Sequence, residues 1–512
     1  MQEISRTFKD RSLFPQESVV YWTEYILMLT VFTWLTYADT ANIIVIYPVQ
    51  VKSHFFFLEA ILKNLIQAGH HVTLIAPFNL SKPLKNFTFI DSDTTNTKQT
   101  FSNYDFKSMT RFEYVRFVSN IFEGYCYDFV KLQKVQNIVN TGKKKFDVLF
   151  LSVGMLHECF IPVAKTLDIP VIGIISLRSL LQADNIMGNP RNPAVFPSEM
   201  INVQLSGTFY ERLLNTMNDI GTSLLNHFIV SWILDKFVSQ HYTTYDWRKD
   251  GSNISLLFYN SHSSILPRPL VPNVIEIGGI HISSSTNPLP QNILEFIENS
   301  QHGVILFTFG STTKSFTVSV EMRKIFRDVF AKIPQRVIWK FEEEIENLSE
   351  NVLRLKWIPQ RDILAHKNVK AFITHCGIAG MYEAIYEAVP LVMIPLFVDQ
   401  PGNAALMKQR GVGVYLDFRS LTKEKLIDAI NSVINDTSYK EKMMELSRRY
   451  KDRPMTPQQT LIYWTEYIIK HKGAPHLKTV GADMPLYQYL LLDILLKCTS
   501  ISVETTNKRK TD

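Results

Sequence analysis

The sequence has no apolar run long enough to cross a lipid bilayer. The two candidates, residues 25–38 (YILMLTVFTWLTYA) and residues 486–496, offer about fourteen and about eleven positions, and Asp493 interrupts the second. A membrane-spanning helix needs about 20. The first run has the length of a signal-peptide hydrophobic region, for which Met28 is a candidate start. The second predicts a truncated membrane anchor with a polar tail over residues 486–512, and therefore weak or lost membrane association.

Cysteine is scarce, and its spacing excludes the common zinc-binding motifs. The four cysteines are Cys126, Cys159, Cys376 and Cys498. Cys126 and Cys159 could pair in an oxidising compartment, although free buried thiols are the expected state.

Strong charge of one sign is also missing. The net charge is +6, and the last few residues, 508–510, form a short basic cluster. This pattern does not indicate nucleic-acid binding. The chain has 512 residues, of which 46% are hydrophobic, and this is enough for two α/β domains that each have a core.

The N-terminus repeats a later part of the chain. Residues 5–26 (SRTFKDRSLFPQESVVYWTEYI) match residues 447–468 (SRRYKDRPMTPQQTLIYWTEYI) at most positions. A functional internal repeat is one explanation. We expect instead that the tail of a neighbouring tandem copy is joined to the front of this one, so that residues 1–24 are a fusion artefact. Transcript reads would then start near Met28.

The most informative stretch is residues 357–403, WIPQRDILAHKNVKAFITHCGIAGMYEAIYEAVPLVMIPLFVDQPGN. Its β-branched and aromatic run 369–374 predicts a strand, residues 375–377 a turn, and residues 380–388 a helix. In an open α/β sheet, ligands bind outside the carboxyl ends of parallel strands. The stretch is therefore predicted to form half of a nucleotide site.

Its polar residues fit the parts of a nucleotide. His375 and Gly377 precede the predicted helix, whose free N–H groups and dipole favour a phosphate that glycine lets approach closely. Glu383 lies two turns further on and could accept hydrogen bonds from both ribose hydroxyls. Trp357 offers a flat face for a base, and Gln360 an amide for a base edge or a sugar hydroxyl.

A second apolar run, residues 391–395, leads to Asp399 and Gln400, which could hold the hydroxyls of a second sugar. Base, ribose, diphosphate and hexose together describe a nucleotide sugar. Taken singly, each residue has an ordinary explanation, since a tryptophan is usually largely buried and a lone histidine or glutamate is usually solvated. The joint spacing of all seven argues against that explanation.

The pattern W-x-P-Q, then H-[CG]-G, then E-A-x-Y-x-x-x-P and D-Q-P resembles the UDP-glycosyltransferases, specifically their membrane-linked animal branch. The resemblance covers residues 40–490 and implies an α/β fold of the GT-B type, with two doubly wound Rossmann-like domains facing a cleft. It implies an N-terminal acceptor-binding domain (40–262), a linker (263–300) and a C-terminal UDP-sugar-binding domain (301–485). It also implies a UDP-sugar as co-substrate, with no cofactor and no metal.

Further residues match positions of this family. His54 matches the general base, whose pKa near 6.5 would suit proton removal from a hydroxyl. Arg268 matches a position expected to approach the anionic part of the donor, and Ser311 one whose hydroxyl faces the diphosphate. The resemblance implies inverting transfer of a hexose to small lipophilic acceptors, as in detoxification, with glucose favoured over glucuronic acid. The aromatic stretch 177–240 is interpreted as the acceptor-side wall.

The chain departs from the family where its base should be supported. Ser152 stands where family members carry an acidic residue that orients the histidine, and Glu158 is the candidate substitute. Ala379 and residues 387–388 are smaller departures at the edge of the donor site. A catalytically impaired protein that binds a UDP-sugar or a lipophile is therefore the alternative function, and a subunit supporting an active paralogue in an oligomer is a third.

The resemblance places the body of the protein in the secretory pathway, in the lumen of the endoplasmic reticulum. Glycosylation would be compatible with this location. The five candidate sequons begin at Asn79, Asn86, Asn253, Asn347 and Asn435.

Overall fold

The computed structural model describes residues 40–92, 123–154, 157–196, 207–225, 231–242, 253–310 and 318–489, with isolated positions at 120, 228, 245, 491–494, 496 and 497. The predictions for the prefix 1–24, for the hydrophobic region 25–38 and for Ser311 lie outside these residues.

A seven-stranded parallel sheet forms the first domain. Its strands lie in the order β3-β2-β1-β4-β5-β6-β7. Most are short apolar runs buried on both faces, which is typical of parallel sheets covered by helices. The strands are β1 (Asn42–Ile46), β2 (His71–Ala76), β3 (Phe87–Asp91), β4 (Val148–Ser152), β5 (Val171–Ile175), β6 (Leu256–Tyr259) and β7 (Val274–Glu276).

The helices of this domain include α1, which connects β1 to β2. Phe55, Leu58, Leu62 and Leu65 recur at helical spacing and are buried against the sheet. Gly69, with φ of 101°, follows its end. The helices are α1 (Lys52–Gln67), α2 (Gln133–Thr141), α3 (Ile161–Leu167), α4 (Leu181–Met187), α5 (Phe209–Leu225) and α6 (Ser231–His241), with a 3₁₀ turn at His157–Phe160.

The second domain has a six-stranded parallel sheet in the order β10-β9-β8-β11-β12-β13. Its strands are β8 (Val304–Thr308), β9 (Arg336–Lys340), β10 (Val352–Leu355), β11 (Val369–Thr374), β12 (Leu391–Met393) and β13 (Gly413–Tyr415). Its helices are α7 (Gln291–Glu298), α8 (Val320–Phe330), α9 (Gln360–Leu364), α10 (Ile378–Tyr386), α11 (Gln400–Gln409), α12 (Lys423–Asn435) and α13 (Thr437–Lys451). Two doubly wound sheets confirm the predicted GT-B class.

Each sheet has one point where the strand order reverses, and ligands bind at such points. In the first sheet it lies between β1 and β4, so the chain leading to His54 emerges beside Ser152. In the second sheet it lies between β8 and β11, where the pair Thr308 and Thr374 is followed by Gly310 and His375. The topology therefore brings the predicted base and the predicted phosphate site to the two positions best suited for ligands.

The chain returns to the first domain after the second is complete. Helix α14 (Pro457–Lys470) buries Leu461 and Ile468 in the same core as α1. Thr456 and Gln459 form a capping box at its start. The sequence assigns all of residues 301–485 to the second domain, but this helix packs on the first.

Two tyrosines of the second domain bind the chain just before the linker and within it. The Tyr382 hydroxyl donates to the carbonyl oxygen of Asn260 at 2.9 Å, and the Tyr450 hydroxyl to that of Gly278 at 3.0 Å. Gly279 has φ of 85°, and a Cβ atom there would lie 1.9 Å from the Tyr450 hydroxyl oxygen. Glycine is therefore required at this crossing.

One expectation about cysteine is wrong. The sequence predicts free buried thiols, but Cys126 and Cys159 form a disulfide. The fold brings their α-carbons to 6.2 Å, which is within the range that a disulfide spans. Both cysteines are buried in the core of the first domain.

The described part of the chain contains no helix that is both long and apolar enough to cross a membrane. After α14, the chain continues to a short helix, α15 (Leu486–Tyr489).

Candidate active site

His375 stands at the carboxyl end of β11, between two glycines. A Cβ atom on Gly310 would lie 2.7 Å from the ring nitrogen Nε2, and one on Gly377 would lie 2.6 Å from it. Nδ1 is buried and has no hydrogen-bond partner within the described residues. Burial, and then the charge of Lys340, lower the pKa of His375 to about 4. A neutral imidazole at the start of α10 can donate one hydrogen bond to a phosphate.

Gln360 and Glu383 form one polar unit. The Gln360 amide donates to Glu383 Oε2 at 2.5 Å, and Gly380 leaves room for this amide. His281 Nε2 lies 3.8 Å from the other carboxylate oxygen and donates to the Ala379 carbonyl. Burial raises the pKa of Glu383 to about 7, although the Gln360 hydrogen bond opposes the shift. The carboxylate is fixed in place and titrates near neutral pH.

Trp357 is exposed, not part of a core. Its side chain is 60% exposed, and its ring centroid lies 6.3 Å from that of Phe56. The ammonium groups of Lys52 and Lys340 each lie 5.8 Å from the indole. Lys52 and Phe56 belong to α1, so the predicted base platform of the second domain faces the helix that carries His54.

Asp399 and Gln400 organise the loop after β12. Gln400 Oε1 accepts hydrogen bonds from the N–H groups of Leu396 and Phe397. Asn403 donates to Asp399 Oδ2 at 2.7 Å and to the Cys376 carbonyl at 3.0 Å. Both predicted hexose ligands are buried at the start of α11, beside the turn that holds His375.

The sequence reasoning missed Lys340. This residue ends β9, between the strands that lead to Trp357 and Gly310, and its side chain is almost fully buried. Its ammonium donates to the Gly310 carbonyl at 2.8 Å and pairs with Glu342. It is the described cation that acts most directly on His375. A lysine closing a buried strand, RVIWK, was the available signal.

The predicted base, His54, is the third residue of α1. It is partly exposed and makes no side-chain hydrogen bond within the described part of the chain. Burial lowers its pKa to about 4, so the expectation of a pKa near 6.5 is not met. His157 is a second residue that the sequence analysis did not predict, and it is buried. Burial lowers its pKa to about 3. A backbone hydrogen bond at Ser152 opposes this shift, and the charge of His54 adds to it.

Glu158 is not brought together with His54. Its Oε1 accepts from the Gly154 N–H at 2.7 Å and from the Gln182 amide at 3.2 Å. Oε2 is buried without a hydrogen bond in the described residues. Burial raises the pKa of this carboxyl to about 7. The carboxyl group is held by hydrogen bonds from the turn after β4 and from Gln182, so this geometry does not support Glu158 as the partner of the base.

Arg268 is also placed away from the donor cluster. Its Nη1 lies 3.2 Å from Asp184 Oδ2, and its guanidinium stacks on Tyr259 at 4.5 Å. Because its charge is neutralised inside the first domain, the geometry does not support its predicted approach to the donor. Within the described residues, no cluster of three or more metal-ligating side chains occurs.

A family model described as "UDP-glucoronosyl and UDP-glucosyl transferase" matches residues 42–509. The chain belongs to this family. Its members take a UDP-sugar as co-substrate, and the site described above is therefore the candidate active site of a UDP-glycosyltransferase.

Individual relatives agree with this assignment. The chain is 38% identical over 481 residues to UDP-glucosyltransferase 2 of Dactylopius coccus, covering 92% of each protein. It is 31% identical over 525 residues to UDP-glucuronosyltransferase 2B7 of Homo sapiens, covering 96% of each. A solved UDP-glucosyltransferase from Polygonum tinctorium shares the fold, with a TM-score of 0.55 and 16% identity over 85% of this chain and 99% of that one.

Proposed function

We propose that this UDP-glycosyltransferase transfers a hexose, glucose in the first place, from a UDP-sugar to a hydroxyl group of a small lipophilic acceptor. One observation carries the proposal. The exposed Trp357 lies three residues before Gln360, which is hydrogen-bonded to Glu383, and its ring meets that of Phe56 on α1, the helix of His54. The donor platform therefore lies against the helix that carries the base.

The donor half is assigned by chemistry. The uracil stacks on the Trp357 indole, and Glu383 accepts from the ribose hydroxyls while Gln360 holds the carboxylate in position. The diphosphate lies at the start of α10, where His375 and the backbone N–H of Gly377 donate to it. Ser311, the expected further donor to the diphosphate, remains part of this proposal.

Asp399 and Gln400 complete the donor half by holding the hexose hydroxyls. The side-chain oxygen of Gln400 accepts hydrogen bonds from the loop backbone, so its amide N–H groups can donate to the sugar. Asp399 offers carboxylate oxygens, one of which is oriented by Asn403.

The reaction is a single displacement. Neutral His54 takes the acceptor's hydroxyl proton, the oxygen attacks the anomeric carbon, and the bond from that carbon to the UDP oxygen breaks with inversion. Lys340, the N–H groups of α10 and the neutral His375 stabilise the charge on the departing UDP. Arg268 has no part in this step, because Asp184 already holds it.

Glucose as the donated sugar is supported by the name of one relative, UDP-glucosyltransferase 2 of Dactylopius coccus. A lipophilic acceptor is supported by the apolar side chains that α5 exposes within the proposed acceptor-side wall. The Cys126–Cys159 disulfide supports a secretory lumen, since disulfides persist in oxidising compartments.

A second candidate function is supported by Ser152. The family's acidic partner is missing, and the charge of His54 acts instead on the buried imidazole of His157. A positive charge forming on His54 is then unsupported. A binding protein with slow turnover would show this arrangement.

Two measurements test these proposals. Calorimetry with UDP, UDP-glucose and UDP-glucuronate should show binding that His375→Ala weakens, while His302→Ala, an exposed histidine of the same domain, leaves it unchanged. UDP release with a panel of phenols should then detect turnover. Tight binding without turnover would favour the second candidate, and no binding of UDP would remove both.

A further inference from the structure

Lys52 is a cation that the fold of α1 does not explain. It is exposed in the first turn of the helix, forms no ion pair within the described residues, and has no acidic residue near it in that turn. The N-terminal end of a helix carries a partial positive charge, so a lysine there is disfavoured. A residue that breaks a local rule without compensation is a candidate for a functional role.

The position of Lys52 indicates what that role is. Lys52 Nζ lies 5.8 Å from the Trp357 ring and 6.0 Å from the Phe56 ring. It therefore reaches across the cleft to the base platform of the other domain. It also lies two residues before His54, at the mouth of the first sheet.

The second ammonium beside this indole is different. Lys340 pairs with Glu342 and donates to the Gly310 carbonyl, so its charge is partly compensated and its position is fixed. Lys52 has neither constraint. Of the two cations on Trp357, it is the one that forms no ion pair with a carboxylate of the described residues.

We propose that Lys52 is a donor-recognition residue supplied by the first domain, whose ammonium binds an anionic group of the nucleotide sugar across the cleft. The inference rests on the proposed function, because it requires the nucleotide to lie on Trp357. It assigns to the acceptor-side domain a direct contact with the donor. Binding of the donor would thereby draw α1 and the base platform together.

Two anions could make this contact, the diphosphate or the carboxylate of a uronic acid. We would measure the dissociation constants of uridine, UDP, UDP-glucose and UDP-glucuronate by calorimetry for the wild type and for Lys52→Gln. A diphosphate contact weakens the last three about tenfold and leaves uridine unchanged. A carboxylate contact weakens UDP-glucuronate alone. Either pattern supports the proposal.

Controls separate charge from structure. Lys52→Arg keeps the charge and should restore binding to within about twofold, and Lys82→Gln, an exposed lysine of the same domain, should change nothing. If Lys52 merely supports the indole, its replacement will weaken uridine as much as UDP, and the proposal is overturned. No change for any ligand also overturns it.

The same measurements keep this inference apart from the proposed function. If the wild-type protein binds UDP and UDP-glucuronate, and Lys52→Gln binds both equally well, only the role of Lys52 is removed. A wild-type protein that binds no UDP removes the proposed function and this inference with it. Raising the salt concentration should shrink the difference between Lys52→Gln and the wild type, because the contact is partly exposed.

Discussion

The two halves of the candidate active site differ in how firmly hydrogen bonds hold their side chains in place. On the donor side, five neighbouring strands each deliver a polar group or a glycine to one edge of the sheet, and these groups hold each other in place. On the acceptor side, His54 makes no side-chain hydrogen bond within the described residues, and its electrostatic neighbour is another histidine. Under the proposed function, binding of the nucleotide sugar is well prepared, whereas proton removal is not.

The comparison teaches that affinity and turnover can be separated in this protein. Under the proposed function, substitutions of the donor-side residues should change the dissociation constant of the nucleotide sugar. Substitutions of the acceptor-side residues should change the rate at saturating donor. Substitutions on either side of the cleft can contradict this separation.

The largest effect is expected for His54→Ala. General-base catalysis contributes about 10²–10⁴ in rate, so UDP release should fall by at least about a hundredfold. The dissociation constant of UDP should change by less than about twofold, because His54 has no role in the donor half. His71→Ala, an exposed histidine of the same domain, serves as control. A His54→Ala protein with wild-type turnover would show that another group is the base.

Glu383→Gln should weaken UDP-glucose binding by about thirtyfold to a hundredfold, because hydrogen bonds to a charged acceptor are lost. Wild-type affinity should also depend on pH. The pKa of Glu383 is about 7, and only the ionised form offers two accepting oxygens. Binding should therefore tighten as pH rises from 6 to 8, by about tenfold for one ionisation.

Calorimetry across this pH range checks the assignment. UDP-glucose is the right ligand, since its diphosphate has no group that titrates near neutral pH. The Glu383→Gln protein should show no such pH dependence. If it keeps the wild-type pH dependence, the titrating group is elsewhere.

Gly377→Ala tests how tightly the His375 ring is held. The φ of Gly377 is −62°, so alanine strains no backbone angle there. Its Cβ atom would nevertheless lie 2.6 Å from the ring, which must move. Overpacking of this kind costs about 1–3 kcal/mol, and UDP binding should weaken about tenfold. The control is Gly221→Ala, since nothing lies within 4 Å of a Cβ atom there. Unchanged UDP affinity in Gly377→Ala would mean that the ring position is unimportant.

The donor half could be predicted from the sequence because its geometry is local. Between Trp357 and Gln400 the chain alternates short helices and strands, in the order α9, β11, α10, β12 and the start of α11. The spacing along the sequence therefore fixes which side chains lie at the same edge of the sheet. The order of strands in both sheets follows from the same fold class. Lys340 and His281, which come from earlier parts of the chain, lie outside the motif and were not predicted.

The rest could not be predicted because it depends on contacts between distant segments. Whether Glu158 reaches His54 is decided by the turn after β4, where the Gly154 N–H captures its carboxylate. Arg268 is neutralised by Asp184, 84 residues earlier in the chain. The Cys126–Cys159 disulfide and the return of α14 to the first domain are likewise properties of the folded chain.

The smallest effect is expected for Ser152→Asp, which restores the family's acidic residue beside β1. A carboxylate near His54 favours the imidazolium, so the pKa of His54 should rise from about 4. The rate should then increase about fivefold, because a stronger base removes the proton more readily.

The pH profile of Ser152→Asp separates this effect from a general improvement in folding. The acid limb of kcat/KM should move to higher pH in Ser152→Asp, and remain in place in Ser152→Asn, which has the same shape without the charge. The affinity for UDP should stay constant in both. If Ser152→Asp gains no rate and shifts no limb, the missing acid is not what limits turnover, and His157 would have to be an adequate neighbour for the base.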